Sequence, residues 1–340
     1  MVLTSEEVGR GGSPLSVAIV GVERLESSLT FYRDILGLDA SPETCWRGPA
    51  FEHHWRLPAG SSARAVLLAF PGSTVGRILL LEFDAPHRQV VRRPGEDRPY
   101  GIWNLNFYTY DIARAARDIE ANGYQLWSRP TAHVITASAG AAAVGEPTEV
   151  LFEGPDGVVI NLVQLPAGEG TRVGEMRRYL DQHGTTPTGY TEVVTSAHTV
   201  RDMTAAVRFY QEVLGMGVLI DAVLESPVSN SFLHLPPHAR THSVFVKGDH
   251  MFGKIALGQP LNYEALDLVG RAVPPNIGYL AMGFRTPDLA AAEAACRRLG
   301  VQFFSEPIVV DLPGEGWRRA MVVHAPASGA LMQIAEGPRH

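Results

Sequence analysis

Asn104, Asn106 and Tyr108 recur at alternate positions in the run Trp103 to Tyr110. Side chains two apart on a strand share a face, so two amides and a phenol point the same way. Asn161 lies in a later run, Val158 to Gln164, that reads as a neighbouring strand. Buried amides need partners, so this set reads as a polar binding surface, with a satisfied structural network as the alternative. Thr195, Thr199 and Gln333 form the analogous set in the second half, diluted by Ala256 and Ala281, which predicts a roomier and more apolar cavity there. Histidine supplies the expected acid–base chemistry, since it titrates near neutrality. The catalytic candidates are His198, His234, His242 and His324. His234 and His242 fall on or beside expected strands; His198 is out of phase with Thr195 and would need a β-bulge to turn inward. His324 precedes the last hairpin. His53 and His54 precede a strand and face opposite ways, so at most one enters a cavity. Glu82, three residues past an inward position, reads as an outward or rim carboxylate.

These residues sit in a duplicated frame. Phe31-Tyr32 through Ile35-Leu36-Gly37 returns as Phe209-Tyr210 through Val213-Leu214-Gly215, at an offset of about 178 residues. Each half splits again into a strand, an amphipathic helix and three strands. Expected helices are Ser27 to Leu36, Ile112 to Ala121, Thr204 to Leu214 and Leu289 to Leu299. Expected strands include Ser16 to Val22, Arg77 to Phe83, Tyr124 to Trp127, Glu149 to Glu153, Glu192 to Val200 and Phe232 to Leu235. Gly154-Pro155-Asp156-Gly157 makes a tight turn. The expected organisation is a flexible tail, 1–13; an N-terminal two-module domain, 14–165, built from 14–86 and 100–165; a linker, 166–189, with a short helix over 173–182; and a C-terminal two-module domain, 190–337, built from 190–260 and 275–337. The basic run Arg88 to Arg93 reads as solvated linker.

The fourfold β-α-β-β-β order, the Phe-Tyr-x-x-Ile-Leu-Gly helix signature at Phe31 and the Pro155-Asp156-Gly157 hairpin resemble the vicinal oxygen chelate superfamily of glyoxalases, bleomycin-resistance proteins and extradiol dioxygenases. The resemblance implies an α+β fold in which four βαβββ modules pair into two U-shaped mixed sheets with helices packed outside. It also implies a divalent metal in each cup, held by residues of the first and last strands of each module. Those positions fall on Val17 and Leu79, Asn104 and Asn161, Thr195 and Ala256, and Ala281 and Gln333. Alkyl groups cannot ligate, and amides hold a transition metal poorly without imidazole or carboxylate help. No metal ligand and no cofactor are therefore expected; the fallback is Fe, Mn or Zn at a non-standard site near His198, His234 and His242.

A formal charge of −7 argues against a nucleic-acid surface. Two distant cysteines, Cys45 and Cys296, read as reduced thiols, and no apolar run is long enough to span a bilayer. A cytoplasmic protein is expected, with a small-molecule substrate or ligand as partner, neither nucleic acid nor membrane, and a homodimer left open. No nucleophile elbow, P-loop or dinucleotide fingerprint is present. Two functions remain. One is an enzyme on a small aromatic or hydrophobic oxygenated metabolite, by metal-independent isomerase- or lyase-like acid–base chemistry or by ring cleavage at a relocated metal. The other is a non-catalytic, antibiotic-type binding protein.

Overall fold

The computed structural model describes Thr4 and residues 6–340. Module one opens with strand Leu15–Gly21, continues through helix Leu25–Leu29 and a wider helical turn Thr30–Ile35, and closes with strands Ser62–Ala69 and Arg77–Phe83. Module two has strand Pro99–Tyr108, helix Ile112–Ala121 and strands Thr148–Glu153 and Val159–Gln164. Module three has strand Thr195–Thr199, helix Met203–Leu214 and strands Gly217–Leu224, Thr241–Lys247 and Lys254–Pro260. Module four has strand Gly278–Thr286, helix Leu289–Arg298 and strands Phe303–Leu312, Gly316–His324 and Leu331–Glu336.

Local chemistry starts each helix. Asp111, Asp202 and Asp288 are N-caps whose carboxylates accept from the backbone N–H of Arg114, Ala205 and Ala291. A closing-strand side chain adds a second acceptor in two of these modules: Gln164 takes the Ile112 N–H at 2.9 Å and Gln259 the Met203 N–H at 3.2 Å. In module one Arg24 offers no side-chain cap, and Glu82 takes the Leu25 N–H at 2.7 Å. Glu82 thus lies on the helix side of its sheet, where it also pairs with Arg64. Phe31, Tyr32, Phe209 and Tyr210 are buried in one core between the helices and the outer faces of both sheets.

The modules do not pair in chain order. The opening strand of module one runs antiparallel to that of module four, and that of module two to that of module three. Two nine-stranded sheets result, one from modules one and four and one from modules two and three. The expected domains 14–165 and 190–337 are therefore corrected: each cup draws on both halves of the chain. The repeat makes four similar opening strands, and their mutual fit selects partners. Gly283 leaves room for Val17, since a Cβ there would lie 2.4 Å from a Val17 methyl. In the other sheet Ser196 Oγ donates to the Asn104 carbonyl at 2.9 Å, and Asn104 Oδ1 accepts the Ala197 N–H at 2.8 Å.

Five further expectations change. The strand expected at Phe232 to Leu235 is replaced by helix Pro227–Phe232, and the His53–Trp55 region forms helix Pro49–Trp55. Both begin with proline at the first turn, where its missing N–H costs nothing. Tyr124 to Trp127 makes only an isolated bridge, from Leu126 to Phe152. From residue 8 the expected loose tail is docked: Val8 is buried, and its carbonyl accepts from Lys247 Nζ at 2.9 Å. In the basic run Arg92 is buried and pairs with Asp97 and Glu153 rather than facing solvent. The linker does contain a helix, Arg172–His183. Among the described residues no helix is long and apolar enough to cross a membrane.

Candidate functional site

The sheet of modules two and three curls around an open cup with a cavity of about 90 Å³. Asn104 and Asn106 reach it from one strand, Asn161 from the parallel neighbour, and Glu149 from the next. Ala197, Thr199, Thr241, Ser243 and Ala256 face it from module three, and Phe232, Phe245 and Trp103 give it apolar walls. Strand alternation accounts for most of this set. Trp103 is an exception: the register shifts between Ala197 and His198, opposite Ile102 and Asn104, and Trp103 joins the apolar end of the cup.

At the cup wall Glu149 and His133 form a hydrogen-bonded pair. Glu149 Oε1 lies 3.0 Å from His133 Nε2, and Glu149 Oε2 accepts from Asn161 Nδ2 at 2.6 Å. His133 Nδ1 lies 3.1 Å from Ser229 Oγ, which lies 2.8 Å from Ser226 Oγ. With His133 Nε2 carrying the proton toward the carboxylate, Nδ1 accepts from Ser229. Ser226 is half-buried, so the chain Glu149–His133–Ser229–Ser226 runs from the cup toward solvent. Burial alone would raise the Glu149 carboxyl. The His133 and Asn161 hydrogen bonds, with the charge of Arg98, outweigh it and hold the group below the ordinary carboxylate value. Arg98 also lines the cup, stacked over the Trp103 ring at 4.9 Å. Burial lowers its guanidinium, with Tyr263, Glu149 and Asp97 opposing.

Of the expected substrate-binding residues, Asn104, Asn106 and Asn161 meet in this cup. Tyr108 continues their face into an apolar cluster, its hydroxyl 3.2 Å from Met176 Sδ, and Thr195 is buried beside it. Gln333 belongs to the other cup. The four expected catalytic histidines do not converge. His198 lies under its helix, with Nδ1 2.9 Å from the Tyr210 hydroxyl and Nε2 2.6 Å from Ser328 Oγ; burial pushes its pKa down to about 3. The bulge beside it does not turn it inward. His242 alternates away from Thr241 and Ser243 and pairs with Asp221 at 3.0 Å. His234 stacks on Trp127 and pairs with Asp97 at 3.1 Å. His324 Nδ1 lies 2.9 Å from the Gly329 carbonyl at the end of the other sheet. Sequence reasoning missed Glu149 and His133. Glu149 carried a signal: it alternates with Leu151 and precedes Asn161's strand in a hairpin, so its parity points inward. His133 sits in a connection with no periodicity to read.

The cup of modules one and four is filled. Helix Pro49–Trp55 inserts Phe51, His54 and Trp55 between Val17, Leu79, Trp46 and Ala281. Its inner polar contact is His54 Nε2 to Gln333 Oε1, at 2.9 Å. Burial pushes the His54 pKa down to about 4, so the ring is neutral.

The donor sets do not fit a resident divalent metal. The inward positions hold Val17, Leu79, Ala281 and Gln333 in one cup and Asn104, Asn161, Thr195 and Ala256 in the other: alkyl groups, a hydroxyl and amides. Among the described residues no three His, Cys, Asp or Glu side chains come together in a ligating group. The His133–Glu149 pair is one ligand short of a facial triad, and both of its imidazole nitrogens are engaged.

Residues 15–162 match the family model described as Glyoxalase/Bleomycin resistance protein/Dioxygenase superfamily. Among solved structures, glyoxalase I from Zea mays is 14% identical, with 95% of this chain and 92% of that chain covered at a TM-score of 0.57. A point variant of that enzyme is 15% identical, with 96% and 94% covered at 0.59. At these identities the likeness is one of fold. No curated protein matches the chain.

Proposed function

Residues 15–162 match the glyoxalase, bleomycin resistance protein and dioxygenase superfamily, and from that premise we propose that the chain is an enzyme using Glu149, oriented by His133, for proton transfer on a small, largely apolar oxygenated molecule. The observation that carries the reading is the Glu149–His133 pair at the wall of the open cup. Hydrogen bonds from His133 and Asn161 keep the Glu149 carboxylate ionised, so it faces the cup as an acceptor, though as a weaker base than an ordinary carboxylate. Asn161 fixes its second oxygen, so the lone pairs left for substrate have a defined direction. His133 Nε2 donates to the first oxygen, and Ser229 and Ser226 keep the imidazole in that tautomer, so a proton taken by Glu149 is returned by Glu149 itself to another atom of the substrate. Phe232, Phe245 and Trp103 exclude water from the reacting end and suit an aromatic or aliphatic body. The chemistry is isomerase- or lyase-like, and no step is routed through a metal.

The test is incubation with a panel of small aromatic and aliphatic hydroxy and oxo compounds in heavy water, followed by NMR. Conversion or C–H exchange is expected for a subset, with Glu149→Gln slowing it by about 10²-fold or more. Compounds that bind yet return unchanged and unexchanged would overturn the enzyme reading in favour of a binding protein.

A further inference from the structure

Among the described residues, the open cup contains a guanidinium without an ion-pair partner. Arg98 lines the cavity, and its Nε is buried with no hydrogen-bond partner. The nearby carboxylates are taken. Asp97 is held by Arg92 at 2.8 Å and His234 at 3.1 Å. Glu149 uses its two oxygens on His133 and Asn161. Arg98 is left with the Trp103 ring and the Tyr263 hydroxyl, neither of which neutralises it. A desolvated guanidinium that feels Glu149 and Asp97 only at a distance, with no direct ion pair, keeps much of its desolvation cost uncompensated, and a bound anion would offset it. Its backbone is also held at φ 51, a conformation unusual outside glycine.

The other unpartnered atoms sort by chemistry. The Trp103 indole Nε1, on Arg98's side, is a buried donor with no acceptor. Asn106 Oδ1 and Asn161 Oδ1, side by side in register on adjacent parallel strands, are buried acceptors with no donor. The cup therefore lacks an anion or acceptor at Arg98 and Trp103, and a hydroxyl or N–H at Asn106 and Asn161.

We propose that the open cup binds a small hydroxycarboxylate, its carboxylate on Arg98 and its hydroxyl on the Asn106 and Asn161 amide oxygens. This rests on the reading of the cup as the active site and adds the substrate class. The planar guanidinium suits a carboxylate because it can donate two parallel hydrogen bonds. Asn161 also donates to Glu149 at 2.6 Å, so a hydroxyl on its amide oxygen would lie next to the base.

The probe is 3-hydroxybenzoate, with 3-hydroxybenzamide as neutral isostere and benzoate lacking the hydroxyl, titrated by calorimetry. The acid should bind about tenfold or more tightly than the amide, because hydrogen bonds to a charged group are the strong ones. Arg98→Met should shrink that gap to about twofold or less, and Arg98→Lys should restore part of it. Asn106→Leu should abolish the advantage of 3-hydroxybenzoate over benzoate. Circular dichroism checks the fold of each variant, and added salt should weaken binding of the acid to the wild-type chain but not of the amide. Equal affinity of acid and amide, an unchanged gap in a folded Arg98→Met, or no binding of either at millimolar concentration overturns the proposal. Glu149→Gln separates the two readings. It should keep or tighten acid binding by removing a like charge, and unchanged turnover in that variant would defeat the acid–base reading alone.

Discussion

The two cups come from one repeated plan and differ in what the inserted helix delivers. At an offset of about 178 residues Pro49 corresponds to Pro227, and Phe51 to Ser229. In one cup the third helical residue is a phenyl ring buried against Trp46 and Phe83. In the other it is a hydroxyl that reaches His133. The sheets diverge in the same sense. Leu151 opposes Asn161 as Val322 opposes Gln333, so Glu149 corresponds to Ala320, Asn104 to Ala281 and Asn106 to Gly283. One cup has been packed with aromatic rings; the other keeps a carboxylate, an imidazole, three amides and a guanidinium around space. Division of labour follows: a core for stability, and a cavity for chemistry.

Exchange of the third helical residue is the sharpest way to break this comparison. Ser229→Phe puts the filled cup's ring into the open one and removes the hydroxyl that holds the His133 tautomer. Loss of small-ligand binding by calorimetry, with secondary structure kept, is the expected outcome; retained binding would show that the cavity does not depend on the small residue there. The next effect concerns the filled cup. Trp55→Ala removes a fully buried indole and should cost about 3–5 kcal/mol in urea unfolding, while leaving the geometry of the Glu149–His133 pair unchanged.

A third effect depends on pH. His54 has a folded pKa of about 4 against an ordinary 6.5. Between those values the unfolded chain takes up a proton that the folded chain refuses. Stability therefore falls as the solution is acidified through that window, and is unaffected by this group above it. The shift corresponds to about 3 kcal/mol, fully lost only near the folded pKa. His54→Gln removes the titration, so the stability gap between wild type and variant should narrow from pH 7 toward pH 4 in urea titrations. His198 adds a similar slope extending to about pH 3, which the variant retains.

Much of the frame was legible because periodicity encodes it. Helix Ile112–Ala121 and strand Arg77–Phe83 have the bounds their patterns predict, and the superfamily resemblance agrees with the matched family. The inward amides were legible for the same reason: Asn104 and Asn106 are two apart on a strand. Module pairing was not legible, because it turns on cross-strand fit such as Val17 against Gly283, between residues far apart in the chain. His133 was hidden in an aperiodic connection, and its partners Glu149 and Ser229 come from two modules. Counting histidines drew attention to His198 and His242, whose strand parity sends them to the faces away from the cup.

The smallest expected effect is that of chelation. The eight inward positions where this fold places metal ligands carry no imidazole, carboxylate or thiolate, and His133 and Glu149 are satisfied by each other, Ser229 and Asn161. A divalent ion entering the open cup would have to break those hydrogen bonds and accept amide and hydroxyl donors in return, a poor exchange for a transition metal. Dialysis against a chelator should therefore leave both the melting temperature and the affinity for 3-hydroxybenzoate unchanged. Elemental analysis should find no stoichiometric metal before or after. About one equivalent of iron, manganese or zinc per chain, lost together with ligand binding on dialysis, would remove the contrast drawn between acid–base and metal chemistry. It would also require His133 and Glu149 to part in the loaded protein, which the His133→Gln variant, binding less metal, would reveal.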